Sequence, residues 1–148
     1  MPLPHFIAWF GMMLLAIVNG AIRDFSYRAL VGDFLAQQFS TITLLVLFGG
    51  YFVWLFWRWP LTSSRQAWTV GSGWLAMTLA FEFGFGHWIA GHAWAVLFQA
   101  YALHEGRLWV FITLAVWLGP WICFRRTLAI TGSQANSMQN AAKSEESP

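Results

Sequence analysis

Cysteine and charge are what this chain has least of. The lone Cys123 rules out an internal disulfide and leaves no second thiol for a metal site or a haem attachment pair. It reads as a small apolar residue near a helix end. Charged residues make up only 9% of the 148 positions, where soluble domains carry about a quarter. The net charge of +2 comes from few cations with no basic stripe, so there is no nucleic-acid footprint. A Gly-rich phosphate loop and a Ser-His-Asp ordering are also missing, which removes the usual residues for phosphoryl transfer and triad hydrolysis. No cofactor is expected.

What is abundant is apolar. Hydrophobic residues reach 58%, aromatics 19% and mean hydropathy +0.55, which places the chain among all-α integral membrane proteins. Leu3 to Ile22 is uncharged apart from the possible proton on His5 and is long enough to cross a bilayer. A cleaved signal peptide competes for this stretch. It lacks a Lys or Arg before Phe6, and Ile17-Val18-Asn19-Gly20 is a poor cleavage site, so a retained helix is expected. Phe39 to Trp57 forms a second span, with Gly49-Gly50 open to a close helix neighbour and Trp57-Arg58-Trp59-Pro60 at its surface end. Ala67 to Ala90 forms the third and Leu108 to Phe124 the fourth, closed by Arg125-Arg126, with Gly119-Pro120 expected to kink or end it.

Between spans one and two, Tyr27, Leu30, Val31, Phe34 and Leu35 repeat at helical spacing, which predicts a short interfacial helix over 24–38. Trp94, Leu97, Phe98 and Tyr101 predict a second one over 92–106, between spans three and four. Residues 1–128 therefore form one four-helix transmembrane domain. Residues 129–148, rich in Ser, Gln, Asn, Ala, Lys and Glu, read as a disordered polar tail. Arg58, Arg65, Arg125, Arg126 and Lys143 fall on the side shared by both termini, and Arg23, Arg28 and Arg107 on the other, so both termini are expected in the cytoplasm.

The chemistry concentrates at the non-cytoplasmic helix ends. Glu82 stands inside or just under the edge of the third span, where an ionised carboxylate needs a partner, a proton or water. Its neighbours at that level are Asn19, Arg23 and Asp24, then Ser40, Thr41 and Thr43, then His87 and Arg107. Asn19 and Arg23 share a helix face, and Glu82 and Gly86 leave a gap beside the carboxylate. A planar guanidinium is the best partner for a carboxylate in low dielectric, so Glu82 is expected to pair with Arg23 or Arg107. His87, His92 and His104 are weak metal candidates, because the spacing of the first two misses the i, i+4 geometry.

The run Asn19-Gly20-x-x-Arg23-Asp24, then Ser40-Thr41-x-Thr43-Leu44, Ala80-Phe81-Glu82-Phe83, Gly86-His87, Gly91-His92 and Gly106-Arg107-Leu108-Trp109 resembles a group of small bacterial four-span membrane proteins of unassigned function. The resemblance covers span one to span four. It implies the bacterial inner membrane and nothing about chemistry.

The leading expectation is a non-enzymatic, structural or accessory membrane protein whose partners are the lipid bilayer and a second copy or a larger membrane complex. The alternative is a dimeric proton-coupled carrier or small-molecule binder using Glu82. Small multidrug exporters share the short four-span plan, but there the carboxylate lies in span one and here in span three. A membrane-embedded enzyme using Glu82, His87 and Arg23 is the third reading.

Overall fold

The computed structural model describes residues 1–89, 91, 93–99, 101 and 107–145, and among them all regular structure is helical. Helix α1, Leu3–Ile22, starts on two prolines whose fixed φ suits a first turn. It continues through a π-helical turn, Arg23–Tyr27, into α2, Arg28–Val31. The chain breaks at Gly32, whose φ of 82° favours a residue without Cβ. Helix α3, Asp33–Arg58, then begins with an acidic residue at its positive end. Arg28 Nε donates to Asp33 Oδ1 across the break at 2.6 Å.

The interfacial helix expected over 24–38 is therefore divided. Its first half extends α1 and its second half forms the opening turns of α3. Two helical stretches, Leu3–Val31 and Asp33–Arg58, are long and apolar enough to cross a membrane.

Helix α4, Ser64–Gly84, is capped by Ser63, whose Oγ accepts the Gln66 N–H, while Gln66 Oε1 accepts from the Thr62 backbone and hydroxyl. A second π-helical turn, Phe85–Ile89, prolongs it. Helix α5, Trp94–Gln99, is the described part of the second expected interfacial helix. Helix α6, Val110–Glu145, runs through Pro120 without ending there. It also carries the polar segment that was expected to be disordered. Good helix formers such as Ala, Gln and Met populate that stretch, and the hydroxyls of Thr127, Thr131 and Ser137 fold back onto carbonyls one turn earlier instead of competing for the backbone N–H groups.

The four long helices close a ring: α1 packs on α3 and α4, and α6 packs on the same two. Met12, Leu44, Leu55, Val70, Trp74, Ile112 and Val116 lie at the centre, each nearly inaccessible. Trp74 stacks on Phe52 and Phe56, and its indole N–H donates to the His5 carbonyl at 2.7 Å. Glycine permits two close approaches. Any Cβ on Gly71 would collide with the Trp117 carbonyl, and one on Gly119 would sit 2.5 Å from the Phe52 ring. Gly49 and Gly50, expected at a helix contact, are instead exposed with open space beside them, because the buried face of α3 runs through Leu44, Phe48, Phe52 and Leu55. The outer surface stays apolar, with Leu3, Val46, Val53 and Trp57 all more than two-thirds exposed, at 69%, 70%, 68% and 80%.

Candidate functional site

Thr78, Phe81 and Glu82 stand at i, i+3 and i+4 on α4 and so share one helix face. With Met12, Met13, Ala16, Ile17 and Gly20 of α1, Leu44 and Phe48 of α3, Trp109 just before α6, and Ile112 and Val116 in its first turns, they line a partly open cavity of about 210 Å³ between the helices. Trp9 lines one end and donates its indole N–H to Thr78 Oγ1 at 3.0 Å. Arg23 lines the other end. Among the described residues, Glu82 and Arg23 are the only charged groups on this wall.

Glu82 is held by two neutral donors. Trp109 Nε1–H donates to Oε1 at 3.1 Å, and the Tyr101 hydroxyl donates to Oε2 in a short contact. An aromatic packing unit holds Tyr101 there. Its ring and those of Trp94 and Phe98 gather on Phe83, with centroids 5.1 to 6.3 Å away. The gap expected beside Glu82 at Gly86 does exist, and Leu97 fills it, a Cβ on Gly86 falling 2.6 Å from the Leu97 methyl. Burial, and then the carboxylate beside it, push the Tyr101 phenol well above its ordinary pKa. The phenol therefore keeps its proton and serves as a donor.

The expected Glu82–Arg23 pair does not form. Arg23 spends Nε and a terminal nitrogen on the two oxygens of Asp24, at 2.9 and 3.2 Å, and its other terminal nitrogen on Gln37 Oε1 at 2.5 Å. The adjacent carboxylate on the same π-helical turn satisfies the guanidinium locally, and Arg28 reaches Asp24 as well at 3.5 Å. Arg107 is half-buried two residues before Trp109.

Asn19 is buried and joins α1 to α3, its side-chain N–H groups donating to the Ser40 carbonyl at 2.9 Å and to Ser40 Oγ at 2.7 Å. Thr43 faces the opposite way. It is exposed and donates to the Phe39 carbonyl of its own helix, because Ser40, Thr41 and Leu44 occupy the inner face. Asn19→Ala is accordingly expected to cost about 1–3 kcal/mol, the range for losing buried hydrogen bonds, while Thr43→Ala stays within about 0.5 kcal/mol; thermal unfolding in mild detergent measures both. His87 stacks on Trp94 at a ring separation of 4.1 Å. Among the described residues no three of His, Cys, Asp and Glu gather as metal ligands. His92 and His104 lie outside the described residues.

No family model, curated protein or solved structure matches this chain. The site must therefore be judged on its own geometry. Tyr101 and Trp109, which complete it, were named in the sequence for the interfacial repeat and the resemblance, and not among the candidate site residues. A signal for them existed: an aromatic N–H or O–H at the membrane level of a buried carboxylate needs an acceptor. Tyr101 also lay on the apolar face of the repeat that predicted the second interfacial helix.

Proposed function

We propose that this chain is a four-span bundle of the bacterial inner membrane, both termini cytoplasmic, that binds a small molecule in the cavity between its helices without transforming it. The observation that carries this reading is the cavity itself: an apolar chamber between four helices whose wall bears a carboxylate with two neutral hydrogen-bond donors. Binding sites combine such an apolar lining with a few placed polar groups. Membrane embedding is supported by the two long apolar helices and by an outer surface too apolar for water.

The test uses the two indoles on the cavity wall. With the protein in phosphatidylcholine nanodiscs, 1-heptanol is expected to shift the indole N–H resonances of Trp9 and Trp109 saturably. Gly20→Leu is expected to abolish the shift, since Gly20 lines the chamber with open space beside it. A leucine there also replaces a poor helix former, so the fold is not endangered. Shifts that grow linearly without saturation, or that survive Gly20→Leu, overturn the reading.

One observation favours a second reading, that of a structural or accessory protein. Both Glu82 oxygens are engaged, and by groups from different parts of the chain, so the carboxylate can act as a clamp between α4, the segment around Tyr101 and α6. A clamp alone predicts no saturable ligand.

A further inference from the structure

We infer that the ligand of this cavity is a small organic cation with an alkyl or aryl body, its charge seated beside Glu82; this rests on the binding reading above. The two charged groups on the wall are not equivalent. Arg23 is balanced where it stands, since both oxygens of Asp24 face its guanidinium and a third donor goes to Gln37. An anionic headgroup arriving at that end would meet Asp24 as well as Arg23, and would have to displace an existing bidentate pair.

Glu82 is different. Its two donors are neutral, and neutral hydrogen bonds offset only part of what it costs to bury a carboxylate. A cation brought in by the ligand supplies the rest. The remaining wall suits the same guest. The rings of Trp9, Phe48, Phe81 and Trp109 surround the chamber, and aromatic faces attract quaternary and protonated amines. Met12 and Met13 add a polarizable, adaptable surface for an alkyl body. The lining of α1 runs from Trp9 to Arg23, on the order of 20 Å of helix at 1.5 Å per residue. The chamber is thus long as well as narrow, and fits a chain with a charged head.

The experiment compares hexyltrimethylammonium, hexyl sulfate and 1-heptanol on the intact protein in phosphatidylcholine nanodiscs, read by the Trp9 and Trp109 indole resonances. The expected result is that the ammonium saturates at a concentration at least tenfold below heptanol, and that hexyl sulfate is weakest. Glu82→Gln is expected to bring ammonium and heptanol to equal affinity, and Gly20→Leu to abolish both. If heptanol saturates but the ammonium binds no more tightly, the cation assignment is overturned and the cavity reading stands. If none of the three saturates, both fall. The ranking on the native chain decides the matter even where Glu82→Gln does not fold.

Discussion

Trp74→Ala is expected to destabilise the fold by about 3–5 kcal/mol, the range for deleting a buried Trp or Phe. Trp74 is fully buried and packs between Phe52 and Phe56 with near-parallel rings, at centroid separations of 5.6 and 6.0 Å. It joins α4 to α3 through these rings and to α1 through the bond from its indole to the His5 carbonyl. Truncation opens a cavity against the two phenylalanine rings and removes the donor from that carbonyl. Trp74→Phe retains most of the stacking and should lose less than half as much. Thermal unfolding in a fixed detergent, followed by near-UV circular dichroism, measures both. Equal losses for Ala and Phe would show that the hydrogen bond, and not ring packing, dominates.

Glu82→Leu should lower stability by about 2–6 kcal/mol, because the Tyr101 hydroxyl and the Trp109 indole N–H each lose their acceptor at about 1–3 kcal/mol apiece. Replacing a buried polar pair by apolar groups is often neutral. Here only one partner is removed, and the two donors remain. Glu82→Gln keeps one carbonyl oxygen and should cost about half as much. Adding Tyr101→Phe to Glu82→Leu should cost little further, since the orphaned hydroxyl is then gone. A Glu82→Leu protein at least as stable as its parent would mean that the carboxylate takes no part in holding α4, Tyr101 and α6 together.

How much of this was legible in the sequence depends on how local the signal was. The long apolar helices were readable because hydropathy and length are properties of single segments, as was the Arg58 surface turn. Asn19 and Ser40 were placed at the same level, and Asn19 donates to Ser40. The failures came where the outcome depended on competition. Gly32 was read as one residue within an amphipathic repeat, whereas its backbone freedom decides that the helix stops there.

Glu82 was given Arg23 or Arg107 as its partner because the three share a level. For Arg23, a carboxylate one residue away on the same turn won instead, since it needed no second helix to be positioned. Tyr101 and Trp109 went unread because aromatic residues in an apolar chain register first as lipid or core contacts, and only the folded arrangement shows which of them carry a donor to Glu82. The polar C-terminal stretch shows the opposite limit. Low hydrophobicity argued for disorder, but helix propensity and an unbroken lead from the apolar part of α6 extend the helix to Glu145.

The most direct test of an internal binding site is crystallographic: the protein soaked with 7-bromo-1-heptanol, with bromine located by its anomalous signal. The cavity reading predicts a peak inside the ring of helices, among Met12, Leu44 and Ile112. Bromine found only outside, along the apolar groove between α1 and α3 beside Gly11, Tyr51 and Trp54, would contradict it.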